Sequence, residues 1–184
     1  MEIYIETERL YIRPLSLTDL DGMFEMDCDP VVHKFLGNKP YTSIEQSRET
    51  IEYVMSQYRD YGIGRWAVLE KRTDDFVGWT GHKYIGGPVN KHTNYYDYGY
   101  RLTRKHWGKG YATESGKASL HYGIEQLGFK DIYAMTDINN GASRHILEKL
   151  GFRYIEDFAY DARPDWRETG QMTTWYQYMP EENP

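Results

Sequence analysis

Residues 8–15 alternate between polar and apolar positions, with Leu10, Ile12 and Pro14 on one side, and this period of two predicts a strand. Thr18 to Cys28 has helical spacing and predicts a short helix capped by Ser16 or Thr18. Thr42 and Glu45 stand at capping-box spacing before Ile44, Ile51, Val54, Met55 and Tyr58. Those apolar positions predict a longer helix, stopped by Gly62 and Gly64. Arg65 to Lys71 and Phe76 to Tyr84 flank the turn-like RTDD and read as a hairpin. Tyr95 to Leu102 alternates again after a loop containing Gly86, Gly87 and Pro88. In the second half the period switches back and forth. A helix over Ala112 to Leu127 ends at Gly128, a strand covers Asp131 to Asp137, and a helix over Ser143 to Leu150 ends at Gly151. Phe152 to Tyr160 and Met172 to Met179 are strands. Strand, two helices, three strands, helix, strand, helix, two strands is the order of an α/β fold: a mixed sheet with helices on both faces.

Composition narrows the possibilities. A chain of 184 residues with 40% hydrophobic content suits one globular domain over 1–184, and no repeat or linker divides it. No run approaches a membrane span, and the opening MEIYIETERL lacks a basic region followed by an apolar one, so a cytoplasmic protein without a membrane partner is expected. A net charge of −6 argues against nucleic acid and permits a cationic substrate. Cys28 is the single cysteine and lies between Asp27 and Asp29, which disfavour a thiolate; it reads as structural. The six histidines show no paired ligand spacing, so no metal is expected.

The stretch KHWGKGYATESGK, residues 105–117, places a glycine turn between a strand and a helix. Phosphate sites have that form, because glycine lets the backbone come close and the first helical turn leaves N–H groups unpaired. A Walker loop is excluded, since Gly116-Lys117 is followed by Ala118 and preceded at the required distance by Tyr111. A dinucleotide turn is excluded by Thr113 where a third glycine is needed. Two readings remain: a plain strand-to-helix turn, or a short cradle. In the cradle the N–H groups of Gly108, Lys109, Gly110, Tyr111 and Ala112 face a diphosphate, aided by the helix dipole and the charges of Lys105 and Lys109.

Downstream, Asn140 and Ser143 precede a helix ending Glu-Lys-Leu-Gly-Phe. Together with ETERLYIRPLSLTDL, Phe-Val-Gly-Trp-Thr-Gly, Tyr-Gly-Tyr-Arg-Leu and HWGKGYATE, this makes most of the chain resemble the GNAT superfamily of acyl-CoA-dependent N-acyltransferases. It is most similar to the branch containing the ribosomal-protein alanine N-acetyltransferases. The resemblance implies acetyl-CoA as acyl donor, with its pyrophosphate on the loop at Lys105, Gly108 and Gly110. Lys105 stands where the family usually has Gln or Arg, which keeps the charge and changes its geometry. It also implies a mostly antiparallel sheet splayed beside the strand before the loop. The pantetheine arm would pair with the exposed edge around Tyr100, Arg101 and Leu102, where a backbone N–H could polarise the acetyl carbonyl.

Amide formation needs a proton acceptor for the amine and a donor for the departing thiolate. Asp97 lies where relatives commonly have an acidic residue, on the same face of its strand as Gly99 and Arg101. It is the candidate base, the alternative being a solvated edge carboxylate; Asp165 and Glu168 are the next candidates. For the donor, Leu147 occupies the position of the tyrosine that many members use. The resemblance therefore assigns that part to Ser143, with helix capping as its other reading. Asn140 both caps the helix and contacts pantetheine in this scheme. Glu114 reads as a structural partner of the helix dipole. Trp79, Tyr95, Tyr96, Trp166 and Trp175 could line an acceptor cleft. The expected acceptor is a protein N-terminus or a small primary amine, and the expected assembly a monomer or homodimer. A non-catalytic acyl-CoA sensor is the competing reading, supported by Leu147.

Overall fold

The computed structural model describes residues 5–160 and 170–179, and within them the period-two stretches pair into one sheet. Its strands are β1 (Ile5–Glu6), β2 (Leu10–Pro14), β3 (Arg65–Glu70), β4 (Phe76–Ile85), β5 (Tyr95–Leu102), β6 (Ile132–Asp137), β7 (Phe152–Ala159) and β8 (Met172–Tyr178). They lie in the order β1-β2-β3-β4-β5-β6-β8-β7. Every neighbouring pair is antiparallel except β5 with β6. The helices are α1 (Leu20–Asp27), α2 (Pro30–His33), α3 (Ile44–Tyr61), α4 (Tyr111–Glu125) and α5 (Gly141–Lys149). This is the mixed α/β architecture that the pattern predicts.

Strand β3 shows why the sheet needs two helical layers. All six of its residues are buried, and alternation sends them to opposite sides. Trp66 and Val68 pack with Leu10, Ile12, Val77, Tyr111 and Ala112 on the α4 side. Ala67 and Leu69 pack with Met23, Met26, Ile51 and Val54 on the side of α1 and α3. Each fully buried aliphatic side chain of this kind contributes about 1.5–3 kcal/mol relative to exposure. Farther along the sheet, Leu147 of α5 and Leu150, its C-cap, join Leu120, Tyr98, Ile132, Phe152 and Tyr176.

Local chemistry shifts some boundaries. The cap of α3 is Ser43 rather than Thr42: Gln46 Oε1 accepts from the N–H of Ser43 at 3.1 Å and of Thr42 at 2.8 Å. Glu45 is instead engaged by Arg48 at 3.0 Å. The first helix opens with a 3-10 turn over Leu17–Asp19. There the Asp19 carboxylate accepts from Ser16 N–H at 2.9 Å and from Arg13 at 2.6 and 2.8 Å. The four-residue α2 was not predicted, although Asp29 caps it by accepting from Val31 N–H at 2.8 Å and Pro30 starts it. Two-residue β1 is too short to leave a period.

Candidate active site

The sheet opens at one place beside β5. Its parallel pairing with β6 runs only from Tyr96 with Ile132 to Tyr98 with Ala134. Both strands continue past that point, β5 paired with β4 as far as Leu102 and β6 with β8 as far as Asp137. A gap therefore separates Gly99–Leu102 from Met135–Asp137. Tyr96 N–H donates across to Asp131 at 2.9 Å. With a period of two, the backbone groups of Tyr100 and Leu102 face the same side, into the gap. Arg101 does not join them. Its carbonyl faces Gly78 of β4, where a Cβ would lie 2.1 Å from it, and its guanidinium donates to Asp27 Oδ1 at 2.6 Å. Of the three residues expected along the open edge, Tyr100 and Leu102 turn their backbones to it, the Leu102 carbonyl accepting from Trp107 Nε1 at 2.8 Å, and Arg101 is turned away.

At the end of β5 the chain makes a 3-10 turn over Arg104–His106 and then the glycine turn. Gly108 and Gly110 both hold left-handed φ, at 73° and 83°, and Gly110 is the N-cap of α4. A Cβ on Gly108 would meet nothing within 4 Å, so the outer side of the turn is open to an approaching group. The first-turn N–H groups at Tyr111 and Ala112 precede the first i to i−4 bond, which Glu114 N–H makes to Gly110 at 3.0 Å. Side chains brace the turn from behind. Arg9 donates to the Lys109 carbonyl at 2.9 Å and pairs with Glu114 at 2.6 Å, and Glu114 also accepts from Thr7 at 2.6 Å. Tyr111 donates to Glu70, so only its backbone is available to a ligand. Lys105 pairs with Glu25 at 3.0 Å. A cleft of about 430 Å³ lies there, lined by Glu25, Asp29, Thr103, Arg104 and Lys105.

Across the gap, α5 begins at Asn140, whose side-chain oxygen accepts from Ser143 N–H at 3.1 Å. Ser143 neighbours the hydroxyl of Tyr100, which burial pushes up to about 12 against the opposing effect of the serine. Leu147, one turn on, is buried in the core.

The other face of β5 carries charge. Asp97 is 5% exposed, not a solvated edge group, and its carboxylate is paired with Arg65, which also donates to the Asp97 carbonyl at 2.6 Å. Gly99 leaves room for that guanidinium, since a Cβ there would be 2.9 Å from Arg65 Nη2. Trp79 contacts both Arg65 and Arg101, their guanidinium carbons 5.2 and 5.3 Å from its ring. Burial would raise the Asp27 carboxyl; the Arg101 guanidinium and His33, whose Nε2 lies 3.5 Å from Asp27 Oδ1, outweigh it and hold Asp27 below the usual carboxylate range. Of the aromatic candidates for an acceptor cleft, Tyr95 and Trp175 are core residues, 1% and 0% exposed. Tyr96 stacks on Phe129. Trp166, Asp165 and Glu168 lie outside the described residues.

A glycine turn at a helix start, reached from a strand that has parted from its neighbour, is a combination that comparison with known proteins can test. The family model described as "Acetyltransferase (GNAT) domain" matches residues 9–153. The chain belongs to the GNAT acetyltransferases. It is 31% identical over 147 residues to the uncharacterized N-acetyltransferase p20 of Bacillus licheniformis, covering 80% of each chain. It is 28% identical over 178 residues to the FsC-acetyl coenzyme A-N(2)-transacetylase of Aspergillus fumigatus, covering 91% of this chain and 73% of the relative. In fold it is similar to the spermidine N-acetyltransferase of Vibrio cholerae solved with CoA and spermine. The TM-score is 0.72 at 18% identity, covering 94% of this chain and 96% of that one.

This GNAT chain is thus an N-acetyltransferase, and GNAT acetyltransferases use acetyl-CoA. Its site contains residues that spacing did not reveal. Arg9, in the turn before β2, and Arg65, on β3, act from positions far away in sequence. Glu70, Asp75 and His106 place one ligand atom each within 4.8 Å of one another. Glu70 is engaged by Tyr111 and by Thr73 at 2.8 Å, and His106 Nδ1 by Thr103 at 2.7 Å, a set that braces the back of the glycine turn. No helix among the described residues is long and apolar enough to cross a membrane.

Proposed function

We propose that this GNAT protein transfers the acetyl group of acetyl-CoA directly to a primary amine, on a protein N-terminus or a small cationic molecule, with both substrates bound at once. The observation that carries the reading is the gap itself. Open backbone at Tyr100 and at the Leu102 N–H leads into the Gly108–Gly110 turn, and Ser143 stands across the gap on α5. The backbone N–H groups of Gly108, Lys109, Gly110, Tyr111 and Ala112 would hold the diphosphate, with the charges of Lys105 and Lys109 beside them. Tyr100 and Leu102 would pair with the pantetheine amides, and Asn140 would touch that arm while capping α5.

In the reaction the amine lone pair forms the new C–N bond, the C–S bond breaks, and the sulfur leaves with the electron pair. Asp97 takes the proton lost by the amine, directly or through a water, while Arg65 fixes the orientation of its carboxylate. Ser143 donates a hydrogen bond to the sulfur as negative charge develops there. The products are the N-acetyl amine and CoA thiol.

The acceptor class rests on several supports. Glu25 and Asp29 line the cleft at Thr103–Lys105. Acceptors named for relatives include an N(2) nitrogen and spermidine. Ser143 stands where the resembled ribosomal-protein alanine branch usually has serine, which makes a protein N-terminus an acceptor to test first. Thiol release from acetyl-CoA, measured with a panel of N-terminal peptides and polyamines, tests the reading. Amine-dependent release supports it. Tight acetyl-CoA binding with no release under any amine would overturn it in favour of a sensor.

A further inference from the structure

We infer that Trp107 joins the two halves of the donor site: its indole N–H caps the last carbonyl of the open β5 edge and holds that edge at a fixed offset from the glycine turn. The inference rests on the acetyl-CoA site proposed above and adds to it a positioning residue that acts through the Leu102 backbone. Trp107 stands directly before Gly108, with an extended backbone at φ −67° and ψ 155°. The 3-10 turn over Arg104–His106 brings it back beside the strand the chain has just left. There its Nε1 donates to the Leu102 carbonyl at 2.8 Å, five residues upstream. The side chain is 46% exposed, so the core does not require it in that place.

A ligand that runs along β5 and then lays its diphosphate on the turn passes the Leu102 carbonyl last. Carbonyl oxygens carry partial negative charge, and one left open beside a diphosphate would repel it. The segment engages its carbonyls from within. Leu102 accepts from Trp107 Nε1, Thr103 from His106 N–H at 3.0 Å, and Arg104 from Trp107 N–H at 3.1 Å. Farther on, the Lys109 carbonyl accepts from Arg9 at 2.9 Å and that of Gly110 from Glu114 N–H at 3.0 Å. That pattern leaves the N–H groups of Leu102, Tyr111 and Ala112 to meet the ligand. An indole suits the junction, because it donates one hydrogen bond and brings no acceptor of its own. Trp107 spends both its donors, side chain and backbone, on the residues between the strand and Gly108, so that stretch is braced as one unit. The offset matters because pantetheine and diphosphate are parts of one molecule. Two subsites reinforce each other only when their spacing already matches the ligand that spans them.

Binding of CoA, 4′-phosphopantetheine and pantetheine to the parent, Trp107→Phe and Trp107→Leu, measured by calorimetry with displacement titrations for the weaker ligands, tests this. Both variants lack the indole N–H, and melting curves verify that they fold. CoA affinity should fall about three- to tenfold, the size of one hydrogen bond, and equally in the two variants. The loss should be smaller for 4′-phosphopantetheine and absent for pantetheine, which has no charge to place on the turn. Equal losses for all three ligands would make Trp107 a structural support of the strand. A loss confined to CoA, and larger for leucine than for phenylalanine, would make it a stacking platform for the base. Either result overturns the inference, as does the parent's CoA affinity in both variants. Because the readout is binding, a parent protein that binds CoA but releases no thiol removes acetyl transfer and leaves this role in place, whereas a parent that binds no CoA removes both.

Discussion

On the α4 side of β5, Tyr98 and Tyr100 meet helices that follow them closely in the chain, and the donor gap continues into a turn defined by two glycines. On the α1 side, Asp97, Gly99 and Arg101 meet Arg65, Trp79 and Asp27. Those partners are brought in from 32 residues away for Arg65 and Asp97, and from 74 for Arg101 and Asp27. In the proposed reading the first side binds with backbone, which any sequence compatible with the turn can provide. The second uses side-chain charge, which particular residues must provide. The donor site should therefore fail when backbone conformation is disturbed, and the acceptor side when single charges are removed.

The largest effect is expected from Asp97→Asn. Without the proton acceptor, turnover should fall by on the order of 10²–10⁴, and raising the pH should recover much of it by supplying neutral amine. Removing one partner of a buried pair should also destabilise the fold by about 3–5 kcal/mol, because Arg65 loses its carboxylate. Arg65→Met separates the two effects, since it breaks the same pair but keeps the base. If both variants lose turnover equally and keep the parent's pH–rate profile, Asp97 is an ion-pair partner and nothing more.

A second prediction concerns the α4 side, where the interior of β4 holds an uncharged histidine. His82 is fully buried against Tyr98, Phe129 and Trp66, with neither ring nitrogen hydrogen-bonded. Burial, with a smaller contribution from Arg65, lowers its pKa from 6.5 to about 3. The folded state thus refuses a proton that the unfolded state accepts. Stability from this site is complete above pH 6.5 and is lost as the pH falls toward about 3, at up to about 1.4 kcal/mol per pH unit. Denaturant titrations should show this acid limb in the parent and a flatter one in His82→Phe. An identical acid limb in both proteins would mean that other groups govern acid unfolding.

How much of this was legible in sequence follows the same division. The strand periods, the stop of α3 at Gly62, the Gly108–Gly110 turn and the Asn140–Ser143 pair are local signals that lie where they were read, whereas α4 ends at Glu125, short of Gly128. The ion pairs were not legible, because nothing near Asp97 in sequence announces Arg65, and nothing near Lys109 announces Arg9. The burial of Tyr95 and Trp175 was hidden for a related reason. Aromatic residues on a strand look alike whether they line a cleft or pack in a core, and only the tertiary packing of Val89 and Tyr160 around them decides. Arg101 shows the limit within a single strand, where the period located it on a face but not the direction of its backbone groups.

Gly110→Val tests the backbone character of the donor side. A β-branched residue at φ 83° is strained by about 1–2 kcal/mol, and its side chain would crowd Arg9, 3.3 Å from the Cβ position. CoA affinity should fall roughly tenfold or more while the melting temperature changes little, because the turn can relax at the surface. Unchanged affinity by calorimetry would remove the glycine turn from the site.

The smallest effect separates two duties in one residue. Asn140 caps α5 through its side-chain oxygen, and the proposed reading also has it touch the pantetheine arm. Asn140→Ala should cost about 1 kcal/mol of stability for the lost cap, together with a modest loss of CoA affinity. Asn140→Ser keeps a capping oxygen, since serine and asparagine cap about equally well, but shortens the side chain and removes the amide donor. If Asn140 has both duties, the serine variant should regain the stability and not the affinity. Recovery of both would make Asn140 a cap alone. The pantetheine would then be held from the β5 side by the backbone of Tyr100 and Leu102, and the donor site would owe still less to side chains than the acceptor side does.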